Sequence, residues 1–156
     1  MYKEGKDITL VSFSYMFIEC IRVVDFFTEL GVEVELIDLR TLRPLDTETV
    51  IKSVNKTKNI TFVDNDWKSY GVGAEIISRV VEECGQILES NSSRLGLVEV
   101  PIPSSRALAR YCYVSVGQII ENMAKQLKIN NISIPEELYN LNLEESDIPN
   151  KNFKGP

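Results

Sequence analysis

Residues 34–46, VELIDLRTLRPLD, decide how the chain is read. Apolar residues fall at Val32, Val34 and Leu36 and then fill in at Ile37 and Leu39. That is the pattern of a strand entering a sheet covered on both faces, so the sheet centre is expected here. Pro44 restricts Arg43 to an extended conformation, and the strand must stop before it. Asp46 then offers a carboxylate to the free amides of a helix running through Val50, Ile51 and Val54. A strand, a basic crossing and a capped helix make half of a βαβ unit. Arg40 and Arg43 are read on the buried side of the sheet's carboxyl end, where ligands and partners of open α/β sheets dock. They serve equally well as ion-pair partners of Asp38, Asp46 or Asp64.

The same alternation extends in both directions. Residues 7–13 (DITLVSF) form an apolar run, and Ser14 is placed to cap a helix carrying Phe17, Ile18, Ile21, Val24 and Phe26 or Phe27, which closes at Gly31. Residues 59–64 (NITFVD) supply a third strand. After a loop, Gly73, Ile76, Ile77, Val80, Val81, Cys84, Ile87 and Leu88 recur at helical spacing. Residues 94–100 (RLGLVEV) give a fourth strand, closed by Pro101 and Pro103, and Ser105 starts a short helix through Ala107, Leu108 and Tyr111. Ser115 and Gln118 have the spacing of a capping box ahead of Ile119, Ile120, Met123, Ala124 and Leu127. Strands alternating with helices over short links predict a three-layer α/β/α domain with a mostly parallel sheet, over residues 5–128. Residues 129–156 turn to Asn, Glu, Ser and Pro and read as a polar tail, lying on its own domain or reaching to a neighbouring chain.

At 156 residues the chain suits a single core. Its composition is that of a globular protein, no apolar run approaches membrane-spanning length, and the polar start MYKEGKD lacks the pattern of a secretory signal, so the cytoplasm is expected and a membrane is not. A net charge of -6 with no basic run argues against nucleic acid as a partner. Histidine is missing altogether, which removes the commonest general base and the commonest transition-metal ligand. Cys20, Cys84 and Cys112 are odd in number, far apart and set in apolar segments, the signature of reduced core thiols.

Residues 64–73 (DNDWKSYGVG) join the end of one strand to the helix with the cleanest apolar stripe. GVGAEI imitates the start of a dinucleotide fingerprint, but Ile76 stands where the third glycine belongs. Gly71 and Gly73 instead suit a tight turn and close helix packing, with Trp67 laid against the fold or a neighbour. Asp64, Asn65 and Asp66 resemble part of a calcium loop, yet Lys68 occupies a ligand position. Free amides at Val72 suit an anion, which Glu75 and the aspartates oppose. No nucleophile–base pair and no phosphate loop is present in the sequence.

The strings GKDITLVSFS, GVEVELIDLRTLRPLD, FVDNDWKSYGVGAEI and VEVPIPSS, taken in order, resemble the C-terminal, transketolase-type domain of the beta subunit of thiamine-diphosphate-dependent 2-oxoacid dehydrogenases, such as those acting on pyruvate or branched-chain substrates. The resemblance covers about Gly5 to Lys128. Val98 and Val114 stand where relatives often carry proline, and Asp66 where they often carry glycine. The resemblance implies a mixed α/β/α sheet, and YKEGKDIT resembles the joint between that subunit's first and last domains, so most of the antiparallel strand preceding the joint is expected to be missing. It also implies a domain that binds no cofactor alone, has no catalytic or metal-binding residue and is inactive when isolated, thiamine diphosphate and Mg being held elsewhere in the full enzyme. The implied partners are an alpha subunit, a second beta subunit and the acyltransferase core, with homo-oligomers expected. Candidate docking residues are Arg40, Arg43, Trp67, Gly71, Gly73 and Glu75. The alternatives are the last domain of a transketolase or deoxyxylulose phosphate synthase, or a free-standing interaction module that recruits through its tail.

Overall fold

The computed structural model describes residues 1–89 and 92–139. The elements run β1 (Ile8–Ser12), α1 (Ser14–Glu29), β2 (Val34–Asp38), α2 (Thr47–Thr57), β3 (Ile60–Trp67), α3 (Val72–Cys84), β4 (Ser93–Leu97), α4 (Arg106–Ala109) and α5 (Val116–Gln126). Successive side chains of a strand point to opposite faces, and the two faces have separate cores. On one, Ile8, Leu10, Val34 and Leu36 meet Met16, Cys20, Val23, Val24 and Phe27 of α1 and Ile119, Ile120 and Met123 of α5. On the other, Val11, Ile37, Ile60 and Phe62 meet Val50 and Val54 of α2 and Ile76, Val80 and Cys84 of α3. The expected α/β/α sandwich is thereby formed.

All four strands are parallel, in the order β2-β1-β3-β4. β2 is therefore a marginal strand and not the sheet centre that its apolar run suggested. Its residues are buried because helices cover both faces and because Lys3 makes an antiparallel bridge with Leu36, covering the open side. Covering from outside the sheet plane gives an outer strand the same apolar signature as an inner one. The antiparallel partner is confined among the described residues to that isolated bridge, so the mixed sheet implied by the resemblance is here parallel through its four named strands.

Local chemistry sets most boundaries. The Asp46 side chain accepts from the Thr49 amide at 3.1 Å, as expected of an N-cap, a contact worth about 1 kcal/mol. Ser115 and Gln118 form the reciprocal capping box of α5. Helix α1 ends with Gly31 N–H on Thr28 O and Val32 N–H on Phe27 O, the paired bonds of a Schellman motif, Gly31 having a φ of +75°. At its start the expectation fails: the N-cap is Phe13, and no side chain caps this end. The buried stripe of α1 is also rotated, with Phe17, Ile18 and Ile21 only partly buried. Its helix is apolar on more than one side, so spacing alone does not fix the inward face. In α3, Val81 is exposed, and a 3-10 turn at Gly85–Ile87 takes Ile87 out of the helix. Strand β4 stops at Leu97, three residues before the end predicted from its apolar run. Cys20, Cys84 and Cys112 are all buried and free.

One buried polar group joins strand, helix and amino-terminal segment. Glu35 is 1% exposed, accepts from the Gly5 amide at 3.1 Å and is ion-paired with Lys56. Burial alone would raise its carboxyl, but hydrogen bonds from Lys56, Ser53 and Gly5 outweigh that and hold it below its ordinary value. A depressed folded-state value contributes stability above the unfolded value of about 4.3 and loses it as pH falls through the folded one. Glu35→Gln is expected to cost roughly 1–3 kcal/mol at pH 7. The gap from the parent should shrink steadily in urea titrations run at pH below 4; a gap of constant size would show that ionised Glu35 is not the source.

Candidate functional site at the carboxyl edge

A parallel sheet delivers every strand's carboxyl end to the same side, so the turns after β1, β2, β3 and β4 share one edge. The turn after β2 is folded on itself: Leu42 bridges Leu45, and the Thr41 hydroxyl donates to Pro44 O at 2.9 Å. Arg40 and Arg43, expected on the buried side, are both exposed. Arg40 Nε donates to Asp38 Oδ2 at 3.1 Å, one of the pairings foreseen, whereas Arg43 makes no ion pair among the described residues. A guanidinium in this position is better solvated outside the fold than within it.

Residues 64–67, read as loop, continue strand β3: an irregularity after Val63 brings Trp67 opposite Leu97. Trp67 is thereby carried beyond the helices and is 51% exposed. The turn that follows is held by Glu99, which accepts from the amide and hydroxyl of Ser69, and by Arg94 Nη1, which donates to Lys68 O at 2.6 Å. Tyr70, with φ at +62°, has its side chain wholly in solvent. A tyrosine in the left-handed region is uncommon, and its ring gains nothing from this fold.

Gly71 and Gly73 lock this turn to α3. A Cβ on Gly71 would strike the carbonyl of Trp67, and one on Gly73 would come within 2.7 Å of Phe62 Cε1. Both positions require glycine for close approach, which is the packing role expected of them. Glu75 points outward and pairs with Arg79 at 2.7 Å, and Arg79 Nη1 donates to Thr47 Oγ1 at 3.1 Å. This chain of contacts links the start of α3 to the start of α2. The structure brings all six candidate residues to one edge, Gly71 and Gly73 as its buried footing and the others at the surface. Sequence reasoning missed Tyr70 and Glu99 here; an aromatic residue directly before a turn glycine was the available signal.

The chemistry of this edge is poor in reactive groups. Burial pushes up the Asp64 carboxyl and Asp66 adds to this, opposed by the Asn65 amide; the Asp64 Oδ2 is buried without a partner among the described residues. Burial also drives the Cys20 thiol up to about 12, a value at which no useful thiolate forms at neutral pH. Among the described residues no group of three or more His, Cys, Asp or Glu is placed to hold a metal. Asp38 and Glu75 are engaged by arginines, while the exposed Asp46 and Glu99 accept hydrogen bonds from Thr49 N and from Ser69. What the edge does offer is exposed apolar surface: Leu42, Trp67, Tyr70, Val98, Val100 and Ile102 each have 41% or more of their surface in solvent.

The architecture is that of a doubly covered parallel α/β/α domain with its outward-facing turns on one edge. More particularly, the chain belongs to the transketolase C-terminal domain family, whose sequence model matches residues 1–119. Among curated proteins it is 36% identical to the pyruvate dehydrogenase E1 component subunit beta of Pisum sativum over 118 residues, 76% of this chain and 33% of that protein. It is 35% identical to the human counterpart over 128 residues, 81% of this chain and 36% of the other, and 33% identical to that of Dictyostelium discoideum over 129 residues, 83% and 36%. All three are named as mitochondrial. The chain thus spans about a third of the length of the curated relatives it matches. In fold it is similar to a solved structure titled split gene transketolase, inactive beta4 tetramer, with a TM-score of 0.68, 21% identity, and coverage of 83% of this chain and 42% of the other. Among the described residues no helix is long and apolar enough to cross a membrane.

Proposed function

We propose that this chain is the C-terminal domain of a thiamine-diphosphate-dependent 2-oxoacid dehydrogenase beta subunit, working by subunit association and by shaping the approach to an active site whose cofactor is held by companion domains. Identity of 33–36% to three pyruvate dehydrogenase beta subunits favours this enzyme over a transketolase. The observation that carries the reading is the carboxyl edge itself. It offers a set of exposed aromatic and aliphatic side chains beside Arg43, the composition that anchors interfaces. Its residues do not fit a resident diphosphate and Mg: among the described residues no group of three or more carboxylates or other ligands is placed to hold a metal, and Asp38 and Glu75 are engaged by arginines. Partners on this reading are an alpha subunit, a second beta subunit and an acyltransferase core.

Calorimetric titration of the chain with thiamine diphosphate and Mg is expected to give no binding heat. The same titration after mixing with the companion polypeptides of the enzyme is expected to show saturable binding. Tight binding to the chain alone would overturn this division of labour.

A further inference from the structure

Strand β4 differs from the other three in what surrounds it. Every residue of β1 is buried, whereas those of β4 are half-buried except for Leu97. Among the described residues β4 is hydrogen-bonded as a strand only to β3, so the backbone groups on its other side, along Ser93–Leu97, meet no strand. At the opposite margin β2 is covered by the Lys3 bridge. An uncovered strand margin is a template for one strand more.

Helix α5 stands beside this margin. Leu95 and Gly96 of β4 and Glu121, Asn122 and Lys125 of α5 line a cleft of about 270 Å³ between the two elements. Asn122 Oδ1 is buried there with no hydrogen-bond partner among the described residues, a desolvated acceptor left unsatisfied. Glu121 and Lys125 are both exposed, opposite in charge and one helical turn apart. The first part of the tail lies on the domain, with Ile129, Ile132, Ile134 and Leu138 half-buried against the core of α1 and α5, while residues 140–156 are outside the described residues. That part ends at Tyr139, whose hydroxyl donates to Glu121 Oε1 at 2.6 Å and holds the carboxylate at the cleft. The Lys125 ammonium makes no ion pair among the described residues. Val98 and Tyr111 add exposed apolar surface at the mouth.

These features are complementary to themselves. In a two-fold pair each contact is made twice, with the roles of the two copies exchanged. Two β4 strands running antiparallel about an axis at Leu95 bring Ser93 opposite Leu97 and supply both margins with backbone partners. The same axis sets the two α5 helices antiparallel on one face of the joined sheet, so that Glu121 of each copy faces the partner's Lys125. Asn122, between them on the helix, carries an acceptor and two donors in one amide and can satisfy its counterpart reciprocally. We propose that β4 and α5 form a dimerisation surface on which a second copy of this chain docks, joining two four-stranded sheets into one. The paired elements lie apart from the turns of the carboxyl edge, and the proposal stands whether or not the enzyme assigned above is the right one.

Sedimentation of the full chain over about a hundredfold range of concentration is expected to show a monomer–dimer equilibrium. Lys125→Glu, which crowds like charges at the contact, is expected to raise the dimer Kd at least about tenfold, and Glu121→Lys to do the same. An equimolar mixture of the two variants restores opposite charges across the axis and is expected to associate about as tightly as the parent. Backbone amides of Ser93–Leu97 in the parent are expected to exchange on the order of tenfold more slowly in concentrated than in dilute solution, while those of α2 keep one rate. A parent that remains a single chain throughout would overturn the proposal. So would a dimer indifferent to Lys125→Glu, or single variants that fail to associate when mixed. Exchange at Ser93–Leu97 that is the same at every concentration would overturn it too, because the margin would then be covered from within one chain or left uncovered.

Discussion

Phe62→Ala is expected to remove about 3–5 kcal/mol of stability, read as a lower urea midpoint at unchanged slope. Phe62 is 1% exposed and stands where the two inner strands, α3 and the turn after β1 converge: its ring lies beside Phe13, with centroids 6.4 Å apart, and against Gly73. Truncation leaves a cavity that Gly73 cannot fill. Gly73→Val alone is expected to cost 1–3 kcal/mol or more for the opposite reason, because its side chain would enter the space of the ring. Combined, the two changes should cost less than their sum, since each relieves the fault of the other. Strict additivity in that double-mutant cycle would show that the glycine is not conserving space for the ring. With total stabilities of about 5–15 kcal/mol for domains of this kind, Phe62→Ala alone is enough to leave a sizeable unfolded fraction.

The second large effect concerns association and leaves folding untouched. Trp67→Ala and Tyr70→Ala should each weaken binding to the companion subunits by about 2 kcal/mol, roughly 30-fold in Kd. Both side chains are solvent-facing in the single chain, so neither supports its core. Melting temperatures of the isolated variants are therefore expected to stay within about 2 °C of the parent. Arg43→Ala should act more weakly and chiefly on the association rate, with an effect that fades as salt is raised. Surface plasmon resonance against the immobilised companion subunits gives all three. Unchanged binding by both aromatic variants would remove the carboxyl edge from the interface.

Those residues differ in how visible they were before the fold was known. Asp46 and the Ser115–Gln118 pair were legible because a cap involves side chains and amides three residues apart, and nothing distant alters it. The parallel α/β/α layering was legible for a related reason: strand and helix periods are properties of each segment. The lateral position of β2 was not, since burial by helices above and below is the same at a margin as in the middle. Nor was the extension of β3 to Trp67, which depends on pairing with Leu97, thirty residues away. The arginines were misplaced because a basic residue next to an apolar strand carries no mark of which way it turns. Once the fold is known, Gly71 and Gly73 explain themselves through the close approach of Trp67 and Phe62, whereas the fully exposed Tyr70 has no packing role in the fold.

The bridge between Lys3 and Leu36 has a last consequence, for how copies of the molecule can aggregate. A sheet with two free borders can polymerise through either, and repeated addition yields a fibre. Among the described residues the β2 border is covered by the amino-terminal bridge and the β4 border is not, so strand-to-strand joining through these elements has one route, and growth by that route stops at a pair.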